Sequence, residues 1–106
     1  MTTLTLLKSR TKWVGFCCSG HSGYADAGED IVCAAISALT QFCISYLEMY
    51  KIEHVCNIRE NEALIECRVL QYNEAFAKLL TVLKNNTEQL HKQYPKYIQL
   101  EIMEVY

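Results

Sequence analysis

The apolar residues of this chain change their spacing along its length, and that switch constrains the fold more than any other feature. From Ile31 to Tyr50 they fall at Val32, Ala35, Ile36, Leu39, Phe42, Cys43, Tyr46, Leu47 and Tyr50, a repeat of three and four that lines one broad face of a helix. From Glu74 to about His91 the positions Ala75, Phe76, Leu79, Leu80, Leu83 and Leu90 repeat likewise, preceded by Asn73 as a capping residue. Elsewhere the period is two. Ala63, Ile65, Cys67 and Val69 alternate with Leu64, Glu66 and Arg68, while Ile98, Leu100 and Ile102 alternate with Gln99, Glu101 and Met103, as in strands with one face on a core. Ile52 to Ile58 alternates less cleanly and reaches the next strand through a short Arg59-Glu60-Asn61 link, which predicts an antiparallel hairpin. Residues 2–7 and 12–18 form another such pair. The order is ββαββαβ, and two helices with one apolar face each are best buried together on one side of a sheet. The expected class is therefore α+β in two layers, both helices on one face of a largely antiparallel or mixed sheet.

At 106 residues the chain suits one core and is too short for two, so residues 1–106 are expected to form a single domain without a linker. Ten Lys and Arg against twelve Asp and Glu leave a net charge of −2, without the broad cationic surface that nucleic acid requires. No direct nucleic-acid partner is expected. The N-terminus has no basic residue before its short apolar stretch, unlike a signal peptide. The strictly apolar run from Ile31 to Ile36 is far below the roughly 18 residues of a membrane span. The expectation is a cytoplasmic protein with no membrane partner. Its six cysteines, at 17, 18, 33, 43, 56 and 67, contain no Cys-x-x-Cys pair. In reducing surroundings most serve as small buried hydrophobes, with at least one reactive.

Residues 19–29, SGHSGYADAGE, hold Gly20, Gly23 and Gly28, three of the four glycines. Glycine opens backbone angles closed to other residues and lets a second chain approach closely, which suits a substrate loop as well as a plain connection. No Gly-Lys-[Ser/Thr] ends the segment, so it is not a phosphate loop. Cys33 falls in the first helical turn if Asp30 is near the cap, where free N–H groups and the positive end of the helix dipole favour a thiolate. His21, twelve residues earlier, is within reach of that turn if the loop folds back. A thiolate beside an imidazole is a nucleophile with its own proton donor. Spacing alone leaves a catalytic pair and a chance coincidence both open.

The string Gly20-His21-Ser22-Gly23-Tyr24, followed by Gly28-Glu29-Asp30-Ile31-Val32-Cys33-Ala34-Ala35 and Ser37-Ala38-Leu39, resembles the signature of the ribosomal-processing cysteine protease family, Prp. The resemblance spans about 20 contiguous residues with the family's His-to-Cys interval, and length and element order agree over the remainder. It implies that Cys33 is the nucleophile and His21 the base. It also implies a peptidase that removes the N-terminal extension of a large-subunit ribosomal protein, needs no cofactor and works as a homodimer. Gly20, Ser22, Gly23 and Gly28 would form the substrate loop. Ser22 stands where a small residue, often alanine, is expected, and Cys17 and Cys18 are outside the pattern; neither departure touches the pair.

Asp30, three residues before Cys33, either caps the helix or orients His21, and Ser37, one turn after Cys33, stands near the site at most as a supporting hydroxyl. Cys18 and His21 with Cys33, or His54 with Cys56, lack the four paired ligands of a structural zinc site, so no metal is expected. Two other classes stay in view: a non-catalytic ribosome-assembly binding module using the same loop, and a metal or redox protein built on the cysteines.

Overall fold

The first two strands form a tight hairpin: β1 (Thr2–Ser9) and β2 (Lys12–Ser19) pair antiparallel from Thr3 opposite Ser19 to Ser9 opposite Lys12, with a register shift between Leu7 and Lys8. The computed structural model describes residues 1–26 and 29–105. After the glycine-rich segment comes α1 (Ile31–Met49), then β3 (His54–Arg59), a 3-10 turn at Glu60–Glu62, β4 (Leu64–Val69), α2 (Glu74–Gln93) and β5 (Ile98–Glu104). Both helices start where a side chain caps them. Asp30 accepts from the Cys33 N–H at 2.9 Å, and Asn73 accepts from the Phe76 N–H at 2.9 Å, each meeting one of the first-turn donors that lack a helical partner.

The sheet order is β3-β4-β2-β1-β5, antiparallel throughout except for the parallel β1–β5 pair. The sheet is mixed, in the expected ββαββαβ order. β2 and β3 run the same way on either side of β4, and β4 and β5 run the same way on either side of β2 and β1. Each helix is therefore the crossover that such a connection demands.

Alternation divides the sheet faces. Leu4 and Leu6 of β1, Val14 and Phe16 of β2, and Cys67 and Val69 of β4 meet Cys43, Ile44 and Leu47 of α1 and Phe76, Leu80 and Leu83 of α2 in the main core. A second cluster joins Val32 and Ile36 of α1 to Ile98 of β5, with Cys18, Leu90, Tyr94 and Tyr97 packed around it. That cluster holds the start of α1 on the sheet. The other sheet face carries rows such as Thr5, Cys17, Glu66 and Asn57 in register.

Several expectations need correcting. Phe42 and Tyr50 belong to the apolar stripe of α1 but are 64% and 62% exposed, because the stripe is wider than the surface the sheet and α2 offer it. Ile102 is 53% exposed, since the helix layer ends before the far end of β5. β3 begins at His54, not Ile52, because Lys51 takes left-handed backbone (φ 54) and the Ile52 N–H bonds back to the Leu47 carbonyl at 3.0 Å. By length and composition alone α1 would also pass as a membrane span, which the short Ile31-to-Ile36 run did not suggest.

Candidate active site

The site is built where β2 ends and α1 begins. Gly20 follows β2 in left-handed backbone (φ 85), its N–H donating to the Ala63 carbonyl at 3.0 Å, and a side chain there would collide with the Met1 carbonyl. Only glycine fits both demands. The turn carries the chain off the sheet and leaves His21 exposed at the rim of a cavity of about 400 Å³.

Cys33 lines the same cavity from the first turn of α1 and is half-buried. Asp30 holds that turn with one carboxylate oxygen on the Cys33 N–H; the other accepts from the Ser22 hydroxyl. Ser22 is only 2% exposed, and its oxygen also accepts from the Tyr24 N–H at 3.3 Å. The Ser22 hydroxyl first, and the Cys33 N–H second, keep the Asp30 carboxyl below the usual carboxylate range. Capping is thus the role Asp30 fills. Ser37 is exposed and faces the cavity one turn after Cys33.

The described part of the glycine-rich segment is braced at Tyr24. The Tyr24 ring sits edge-on to Tyr94 and Tyr97, with centroids 5.4 and 5.2 Å apart, and Gly23 bends the chain in left-handed backbone (φ 71) with open space around it. Gly28 lies outside the described residues. The remaining cavity walls were not anticipated: Ile36, Thr40 and Gln41 of α1, Cys18 and Thr2 of the sheet, and Ile58, Glu60 and residues 63–65 of the β3–β4 hairpin. The α1 members follow Cys33 at helical spacing, a signal present in the sequence.

The cysteines fall into unlike surroundings. Burial pushes the Cys43 thiol up to about 11, and burial with the neighbouring Cys56 pushes Cys67 up to about 12. Burial and then the nearby Cys17 and Cys33 raise Cys18 to about 11, and burial with Glu66 raises Cys17. Among the described residues no group of three or more His, Cys, Asp or Glu is arranged to hold a metal ion. What the cavity does present is a thiol at a capped helix start and an imidazole at its rim.

A family model for the cysteine protease Prp matches residues 1–99. The chain belongs to the Prp family. It is accordingly a cysteine protease. No curated protein matches it significantly by sequence. Its fold matches that of the ribosomal processing protease Prp from S. aureus, solved with a covalently linked product peptide, with TM-score 0.87 and 20% identity over 97% of this chain and 100% of that one. The same S. aureus protease with a substrate peptide gives TM-score 0.82 at 18% identity, over 97% of this chain and 100% of that one. A Streptococcus mutans protein gives 0.80 at 22% identity, over 99% and 96%. The Prp fold thus accounts for the mixed sheet and for both helices lying on it.

Proposed function

We propose that this Prp-family protein is an endopeptidase that removes the N-terminal extension of a large-subunit ribosomal protein, with Cys33 as nucleophile and His21 as general base and acid. The observation that carries the assignment is that Cys33, at the capped start of α1, and His21, just past the end of β2, line one cavity. Cys33 reacts as the thiolate, and the start of a helix is the end at which negative charge is stabilised. That thiolate attacks the scissile carbonyl, and the protonated imidazole gives its proton to the departing amine. Water, deprotonated by the same imidazole, then hydrolyses the thioester and frees the thiolate. A thioester route accords with the covalently linked product peptide of the S. aureus Prp. That relative's ribosomal role and its substrate-peptide complex support the choice of substrate.

Gly20, Ser22, Gly23 and Gly28 belong to the substrate loop, of which Gly20 lines the cavity beside Cys33. In this reading the enzyme works in the cytoplasm as a homodimer, without a cofactor. Mass spectrometry of the ribosomal precursor incubated with wild-type and Cys33→Ala protein tests it. Cleavage by the wild type alone is expected. Binding of the precursor with no turnover by either protein would leave a ribosome-assembly module instead.

A further inference from the structure

Cys18 is the second thiol in the cavity, and the peptidase mechanism does not use it. Alternation along β2 puts Cys18 on the helix side, opposite Leu4 and Ile65, and Cys17 on the other side, opposite Thr5 and Glu66. Cys18 packs against the cluster of Val32, Ile36 and Ile98, of which the first two stand one before and three after Cys33, so it lies beside the helical turn that carries the nucleophile. Both Cys18 and Cys33 line the cavity and both are half-buried.

We propose that Cys18 is a resolving thiol: oxidation of Cys33 by a hydroperoxide is captured as a Cys18–Cys33 disulfide, which switches the peptidase off reversibly and shields the nucleophile from further oxidation. The idea rests on Cys33 being the reactive thiol. In the first step the Cys33 thiolate attacks one peroxide oxygen, the O–O bond breaks, and sulfur is oxidised by two electrons to a sulfenic acid while the other oxygen takes one proton from solvent and leaves as water or an alcohol. In the second, the Cys18 sulfur attacks the sulfenic sulfur, the S–O bond breaks, and the proton from Cys18 leaves with the hydroxide as water. Cys18 is oxidised and the sulfenic sulfur reduced, so the pair has lost two electrons in all. A dithiol reverses it.

The environment of Cys18 suits a thiol that waits. Burial first, then the neighbouring Cys17 and Cys33, hold it protonated at rest. Intramolecular placement compensates for the small thiolate fraction that burial leaves. The bridge would also tie off residues 19–32, the segment bearing His21.

The test exposes wild type, Cys18→Ser, Cys18→Ala and Cys17→Ser to hydrogen peroxide, blocks free thiols, and cleaves after Glu29 and Glu48 without reduction. Wild type and Cys17→Ser are expected to give fragment 1–29 linked to fragment 30–48, with tandem mass spectrometry assigning Cys18 and Cys33. Both Cys18 variants should instead accumulate Cys33 sulfinic acid and, relative to their own untreated rates, lose roughly tenfold more activity beyond rescue by dithiothreitol. Absence of the link in wild type, its loss in Cys17→Ser, or equal rescue of the Cys18 variants would overturn the proposal. The linked fragments are read without any substrate. A bridge that forms in a protein unable to cleave the ribosomal peptide would therefore refute the substrate assignment and leave the disulfide standing.

Discussion

The Ser22 hydroxyl donates to the same Asp30 carboxylate that accepts the Cys33 N–H, so the residue after His21 and the helix start that carries Cys33 are tied through one side chain. The Asp30 carboxyl is lowered by Ser22 first and by the Cys33 N–H second. A carboxyl lowered in the folded state stabilises the fold above its unfolded pKa and loses that contribution as pH falls through the folded value. The relevant window lies below about pH 4, the ordinary carboxylate range. Glu88, lowered by Lys84, titrates there too, so the wild type must be compared with Asp30→Asn. At neutral pH the variant is expected to melt lower. Below about pH 4 the gap should close. Parallel wild-type and variant melting curves down to pH 3 would show that the carboxylate is not the clamp.

Cys33 is expected to be the first of the six cysteines alkylated near neutral pH. Cys17, Cys18, Cys43 and Cys67 are all raised by burial, which leaves little thiolate to react. Cys56 is the competitor to watch, being half-buried within β3 and not in the first turn of α1 or α2. Timed iodoacetamide labelling with peptide mapping gives the order; Cys56 reacting as fast as Cys33 would argue against activation by the helix.

Much of this site was legible from spacing because local rules govern it. Asp30 caps α1 where the sequence placed a cap, and the three-and-four stripe gives α1 its start to within a residue. Ser22 was not legible. A serine among glycines reads as surface, and only the return of the chain over α1 makes it 2% exposed. Nor does any local pattern say that β4, and not β3, lies beside β2, which brings Ile58 and Ile65 to the cavity. The exposure of Phe42 has the same origin, because helical period fixes a direction while neighbouring elements decide how wide a stripe is covered. Tyr97 and Val105 are both half-buried, Tyr97 against the Tyr24 ring and Val105 against the main core.

His21→Ala is expected to lower cleavage by roughly 10²–10⁴, the usual worth of a positioned acid and base. Its side chain is exposed, so the melting temperature should barely move. Steady-state cleavage of the precursor peptide beside a thermal melt separates the two effects. A rate above about a tenth of wild type would place the base elsewhere.

A homodimer is expected from the sheet edges. β5 is an outer strand with Ile102 and Met103 both more than half exposed, and β3 is the other, with Val55 and Ile58 likewise exposed. Unpaired strand edges bearing apolar side chains invite another chain. Light scattering should give a particle of about twice 12.2 kDa at micromolar concentration. The monomer mass at that concentration would count against it.

Gly20 and Gly23, both left-handed, offer a graded test of how strictly the loop must be shaped. Proline at Gly23 is unsuitable, because its fixed negative φ cannot match the φ of 71 found there. Alanine isolates the effect. At Gly23 nothing lies within 4 Å of an added Cβ, so Gly23→Ala bears only the cost of left-handed backbone, about 1–2 kcal/mol. At Gly20 the same change adds a collision with the Met1 carbonyl and strains the bond from the Gly20 N–H to the Ala63 carbonyl. Relieving that collision must move either β1 or the turn that presents His21. Gly20→Ala is therefore expected to lower the urea midpoint more than Gly23→Ala, and to slow cleavage more than its stability loss explains when both are assayed well below their melting temperatures. Equal midpoints for the two variants, or normal cleavage by Gly20→Ala, would show that His21 tolerates a different path from β2 to α1.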